Sequence, residues 1–463
     1  MTPQEPSPNP TTSSPHATAL PSDAVPVDAR SLAHISFPPG FRARRGLNWV
    51  SIGLLYTSFY MCRYNLSIAN KSISDQYGFD KTQMGWIITV NALAYACGQI
   101  INGLLTDKIG GKRAMLIGAA GTILMNVLFG AASFAGLLGL FVALWGLNGY
   151  VQSFGAPGMV KMNAAWFAKQ ERGTFAGIFG FMINLGRFFI FQLGPALLAG
   201  FTFLGMFHVG PLHWRWLFWA PSIICCVAAL FVWGVVAETP ERAGYDYAGS
   251  RDAEGDSGTK ADVSDVIRAI LGHPAIWITA LAYACTGAVR QSVDQWFPRY
   301  MQDVYQLKLD SAKFQWLGFL LPFVASCGSL LSGVISDTLF QSRRAPVAAI
   351  LYLVETAILL LAAQFHTANS AVLFFILISF TVNSTHSLLG TAQAMDIGGR
   401  KMTGFASGMI DSFQYFGASL AGVALGSLID AHGWGIYFYF MAPFGVVGAL
   451  LMLIFGGKKP AAA

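Results

Sequence analysis

Arg63 and Arg290 each stand inside an apolar stretch of this 463-residue chain. A guanidinium there costs at least about 2.5–3.5 kcal/mol, even on the lenient insertion scale. Two planar, permanently charged donor forks that converge suit an oxyanion with several oxygens. Phosphate fits best, and a carboxylate also fits. On the alternative reading a buried carboxylate holds each arginine for stability, with Asp294, one turn after Arg290, and Asp411 available.

Other polar groups share these stretches. Tyr56 and Tyr60 precede Arg63 by seven and three residues, on its own helix face. With Tyr95 they would donate to an anion or line its path; packing is the other reading. Arg187 and Asp411 are isolated ionisable residues, expected either to touch the organic part of a ligand or to form an ion pair. Asn184 and Gln414 offer hydrogen bonds to ligand hydroxyls or between helices. Glu355 and His386 read first as interhelical hydrogen-bonding groups, with proton relay as the second reading. Lys161 reads as a gating or structural residue near the end of its stretch. Asp107 with Arg113, and Asp337 with Arg344, sit at stretch ends and read as gating charges.

The elements that must position these residues follow from composition. Charged residues are 11% and hydrophobic residues 54%, with 36 Phe and 50 Gly; so few charges cannot cover a soluble fold of this size. The apolar runs are about 20 residues long, which means helices and not barrel strands. The reading is an all-α membrane protein with twelve spans, approximately 46–69, 84–106, 114–134, 137–166, 172–200, 214–237, 274–300, 313–336, 345–364, 371–395, 402–429 and 434–456. Residues 1–43 read as a disordered tail, 44–240 as a first six-helix bundle, 241–271 as a polar linker, 272–457 as a second six-helix bundle and 458–463 as a short tail. The segment 262–271 reads as a short surface helix.

Of the 29 Lys and Arg, six lie on loops of one side (Lys71, Lys81, Arg215, Arg299, Lys308 and Lys313), three lie within spans, and the rest lie on the side of both termini. Both termini are therefore expected in the cytoplasm. No signal peptide is read at the N-terminus, which fits a bacterial inner membrane. The six cysteines all fall in apolar runs with no metal spacing. A GxxxxGK[ST] loop, a nucleophile–base pair and a metal cluster are all missing from the sequence. Neither enzyme chemistry, a cofactor nor nucleic-acid binding is expected, and the chain is expected to act as a monomer among membrane lipids.

The chain also repeats itself. GLLTDKIGGKR begins at Gly103 and GVISDTLFQSRR at Gly333, 230 positions apart. Phe175-Ala176 and Phe405-Ala406 share that offset, and Arg63 and Arg290 are 227 apart. A near-constant offset implies two parallel halves, the arrangement of major facilitator transporters, with one arginine in each.

These segments, with MCRYNLSIANKSIS (Met61–Ser74), WFAKQERGTFAGIFGFMINLGR (Trp166–Arg187), RQSVDQWFPRYM (Arg290–Met301) and TGFASGMIDSFQYFGASLAG (Thr403–Gly422), are together similar to the organophosphate:phosphate antiporters. The resemblance runs from about residue 46 to 456. It implies that Arg63 and Arg290 bind phosphate, that Tyr56, Tyr60, Tyr95 and Tyr415 line the cavity, and that Lys161 stands for a basic residue of the fourth helix. It implies exchange of inorganic phosphate for a small phosphorylated metabolite. Two facing arginines would resist closure of an empty carrier, so exchange would be obligatory. The sequence departs from the family's pattern at Ile183, Gln99, Tyr64 and Ala418, where a histidine, two lysines and an acid are expected. Asp411 resembles an aspartate of the eukaryotic sugar-phosphate exchangers, and Arg187 has no counterpart. A proton-coupled symporter of sugar acids and a transporter-like sensor of phosphate esters are the two rival readings.

Overall fold

A computed structural model describes residues 37–167, 172–203, 206–245, 272, 274–341, 343–393 and 408–456. The Phe405-Ala406 repeat, the 262–271 helix, the 458–463 tail and nearly all of the 1–43 tail and 241–271 linker lie outside the described residues. The described part is built of helices: α1 (Phe41–Tyr77), α2 (Lys81–Ile109), α3 (Gly111–Ala132), α4 (Leu138–Gln152), α5 (Gly155–Trp166), α6 (Arg172–Ala199), α7 (Trp216–Val235), α8 (Pro274–Tyr305), α9 (Ala312–Leu339), α10 (Arg344–Ala362), α11 (Ala368–Ser387), α12 (Gly408–His432) and α13 (Ile436–Gly456). α4 and α5 are two parts of one crossing, so the chain spans the membrane twelve times. A two-stranded hairpin, β1 (Phe201–Phe203) with β2 (Phe207–Val209), joins α6 to α7.

Among the described residues nine helices are long and apolar enough to cross a membrane. The other three crossings are α1, α4–α5 and α8. α1 and α8 fall short because they face protein: both bury long runs that include Asn65, Ser67, Asn70, Gln291, Ser292 and Gln295. Helices α1–α7 pack into one bundle and α8–α13 into a second. The first is cored by Phe129, Phe141, Trp145 and Phe218, and the second by Phe297, Phe375, Tyr437 and Phe438.

Among the described residues, three helix pairs carry most of the contact between the halves: α1 with α8, α2 with α12, and α6 with α9. Their contacts run from the midplane to the rim opposite the termini, the far rim. There Arg299 donates to Asn70 and Ser74 at 2.8 Å, and Lys71 meets Asp303 at 3.0 Å. Asp430 of α12 accepts from the backbone N–H groups of Lys81 and Thr82 and from the Thr82 hydroxyl. It thus caps the N-terminus of α2 from the other half.

Relative to the wild type, Asp430→Asn is expected to remove this cap and to open the far rim at neutral pH. Labelling of a cysteine placed beneath the rim reports this; equal labelling in both proteins at pH 7 would refute it.

Glycine allows the α2–α12 crossing. A Cβ on Gly85 would lie 2.6 Å from the Gly422 carbonyl oxygen, and one on Gly422 would strike Thr89 and Gly85. Thr89 also bonds Ser419 and Val423 across this contact, at 2.7 and 2.8 Å. Gly422→Val is expected to force the two helices apart and raise labelling from the far side several-fold, with the fold retained. Unchanged labelling would place the seal elsewhere.

Candidate functional site

The long α1 carries Arg63 to the midplane, where the side chain is 3% exposed. Its Nε donates to Gln152 Oε1 of α4 at 2.8 Å, and its Nη1 donates to Tyr415 Oη of α12 at 2.7 Å. The guanidinium carbon lies 4.7 Å from the Tyr60 ring centre, 4.4 Å from Tyr95 and 5.9 Å from Tyr415. These rings form an electron-rich collar for the cation. Tyr56 packs on Tyr60 at 5.4 Å and extends the collar. The Nη2 group is buried and makes no hydrogen bond.

Arg290 reaches the same interface from α8 and is also 3% exposed. Its Nη1 donates to His386 Nε2 of α11 at 3.4 Å. Its Nε makes no hydrogen bond, with Asp294 Oδ2 at 3.9 Å. Arg63 and Arg290, one from each half, therefore each keep a buried donor to spare, as Arg187 does at Nε. A small cavity beside Arg63 is lined by Ile88, Asn91, Ala92, Gln291, Gln295, Tyr415 and Ala418, and Arg290 does not line it.

Arg187 of α6 forms a buried ion pair with Asp294 and donates to Asn184 Oδ1 at 3.2 Å. Arg187 and Asp294 are each 1% exposed. The pair joins the two halves, but its acid is Asp294 and not Asp411, the partner expected from sequence. The reason is helix placement: α12 turns Asp411 toward α2, where Gln99 donates to it. Asn184 also donates to Ser326 of α9 at 3.0 Å, while Arg187 Nε and Asp294 Oδ2 are buried without a hydrogen bond. Gln414 is fully buried with neither amide atom hydrogen-bonded.

The expected gating charges lie away from this centre. Lys161 meets Asp107 at 3.6 Å and donates to its backbone oxygen at 2.7 Å. Asp337 meets Arg344 at 2.6 Å. Each pair joins two helices of one half, at the rim that holds the termini, and Arg113 is exposed there. Glu355 is fully buried with no hydrogen bond to either carboxyl oxygen.

The structure thus brings Arg63, Tyr56, Tyr60, Tyr95 and Tyr415 into one cluster and places Arg290, Arg187 and Asp294 in a second beside it. Gln152, Asn91, Gln291 and Gln295 were missed. An amide every fourth residue, Asn148 then Gln152, on an otherwise apolar helix was the available signal for the first.

The Major Facilitator Superfamily model matches residues 52–422. Among curated proteins the chain is 26% identical over 424 residues to a probable hexose phosphate transport protein of Chlamydia trachomatis, covering 87% of this chain and 89% of that one. It is 26% identical to the glycerol-3-phosphate transporter of Bacillus subtilis, covering 83% and 86%. It is 27% identical to the membrane sensor protein UhpC of Escherichia coli, covering 88% and 91%. Among solved structures, a bacterial homologue of the human lysosomal transporter Spinster superposes with a TM-score of 0.70 at 17% identity, covering 90% of this chain and 99% of that one.

Proposed function

The chain belongs to the Major Facilitator Superfamily, and on that premise we propose that it is a secondary carrier exchanging a small organophosphate for inorganic phosphate by alternating access. One observation carries the reading: a buried arginine from each half, Arg63 and Arg290, with a donor on each left without a hydrogen bond. A phosphate between them would accept from both forks and tie the halves together. The names of the relatives, which transport hexose phosphate or glycerol 3-phosphate, support the same substrate class. The far rim is assigned to the outside and both termini to the cytoplasm, in a bacterial inner membrane.

The geometry supports a defined cycle. The closed far rim is the state in which the site communicates with the cytoplasm. Empty, the two guanidiniums would repel each other as the halves approach. A bound phosphate neutralises them, lets the halves rock and opens the far rim as Arg187–Asp294, Arg299–Asn70 and Asp430–Thr82 separate. Reorientation without a ligand is slow, so flux in one direction requires flux in the other.

Counterflow in proteoliposomes tests this. Vesicles loaded with phosphate, in the absence of a proton gradient, are expected to take up labelled phosphate, and particular phosphate esters are expected to compete. Uptake that needs a pH gradient and is blocked by sugar acids would support a proton-coupled carboxylate carrier instead. Phosphate-ester binding without flux would support a sensor, the role in the name of the UhpC relative.

A further inference from the structure

The two halves hold their arginines in the same way but with different chemistry. In the first half the fourth crossing supplies Gln152, which accepts from Arg63 Nε at 2.8 Å. In the second half the equivalent tenth crossing, α11, supplies His386, which accepts from Arg290 Nη1 at 3.4 Å. The holders are 234 positions apart and the arginines 227, so the arrangement is repeated. A glutamine does not titrate near neutral pH; a histidine does.

We propose that His386 is a proton-binding site of the carrier: neutral, it holds Arg290; protonated, it becomes an additional donor to the bound phosphate. The inference rests on the exchanger reading.

The hydrogen bonds fix the tautomer. A guanidinium only donates, so Nε2 accepts and the neutral ring carries its proton on Nδ1. That proton faces Tyr283 Oη at 2.6 Å. The Tyr283 ring stacks on the imidazole at 5.3 Å and 26°. Its hydroxyl is received so closely by Gly390 that a Cβ there would collide with it. Gly390 lies in the π-helical turn Leu388–Gln393 that follows His386, a local geometry frequent at functional sites. Tyr283 therefore keeps Nδ1–H engaged and leaves Nε2 as the nitrogen that changes.

The exchange balances. Phosphate arrives and Arg290 transfers its N–H from Nε2 to a phosphate oxygen. The freed Nε2 lone pair takes a proton from solution and the new N–H donates to a second phosphate oxygen. No other bond is made or broken. The charged groups acting on the ring are Arg290 of α8 and Arg187 of α6, and Tyr283 is in turn faced by Asp411 of α12 and Tyr352 of α10. These two guanidiniums oppose a further positive charge while the site is empty; a dianion bound at Arg290 favours it.

Calorimetric titration of inorganic phosphate into the wild type and His386→Gln, in buffers of different ionisation enthalpy between pH 8 and 6, tests this. The wild type is expected to take up more protons per phosphate than the variant, the difference approaching one. The variant-to-wild-type ratio of dissociation constants is expected to grow as pH falls, by up to about tenfold per pH unit. Equal proton uptake with parallel pH profiles would overturn the proposal. If His386→Gln does not fold, Tyr283→Phe, which removes the partner of Nδ1–H, is expected to shift the pH midpoint of phosphate binding; an unmoved midpoint would overturn it equally. Failure of the wild type to bind phosphate at any pH would overturn the exchanger reading together with this one, whereas binding with parallel profiles overturns this one alone.

Discussion

Arg63→Lys is expected to lower phosphate affinity by at least about a hundredfold while the protein remains folded, because two charge-assisted hydrogen bonds at about 1.5–3 kcal/mol each are at stake. Lysine keeps the charge and loses the fork. The arginine at this position bonds Gln152 through Nε and Tyr415 through Nη1, with Nη2 left for a ligand. A single ammonium cannot reach all three directions. Its flat neighbour surfaces, the Tyr60 and Tyr95 rings at 4.7 and 4.4 Å, also fit a plane better than a point charge. Arg290→Lys is expected to lose affinity to a similar degree, since its Nη1 and Nε would likewise both be lost. Phosphate titration in detergent, beside a size-exclusion profile of the same sample, reads the result. Unchanged binding in either variant would take that guanidinium out of the site.

Asp294→Ala is expected to reduce stability by about 3–5 kcal/mol, the cost of leaving a buried charge without its partner. The effect is large because one carboxylate serves two arginines. Arg187 pairs with it directly and Arg290 approaches to 3.9 Å, all three side chains at 1–3% exposure. Replacing both partners removes the stranded charge, so Arg187→Met with Asp294→Ala is expected to recover most of the loss. Thermal unfolding of the two single variants and the double variant closes the cycle. Additive effects would mean that the pair is not coupled. The pair crosses between halves, so the double variant is also expected to label more readily from the far side.

The arginines were legible in the sequence because a charge in an apolar run has few explanations. The twelve crossings were legible from the length of those runs, and the two halves from a repeated offset. What escaped the sequence depends on how helices cross. The partner of Arg187 is set by α8 lying beside α6, which no local pattern encodes. The fourth crossing breaks into α4 and α5 at Ser153–Phe154, although 137–166 reads as one run. The hairpin of Phe201–Val209 is another such feature: its apolar residues merge with the end of the preceding span. Tyr415 bonded to Arg63 is a contact between halves, and only the closed far rim brings it about.

The shared carboxylate also has an electrical consequence. Counted at their ordinary charges, Arg63, Arg187 and Arg290 outnumber Asp294 and Asp411 by one. An empty centre that moved through the membrane field would carry one positive charge, worth about 2.3 kcal/mol per 100 mV if it crossed the whole field. A phosphate dianion would turn this into one negative charge. A dianion together with a proton on His386 leaves none, and that loaded form would cross without feeling the membrane voltage.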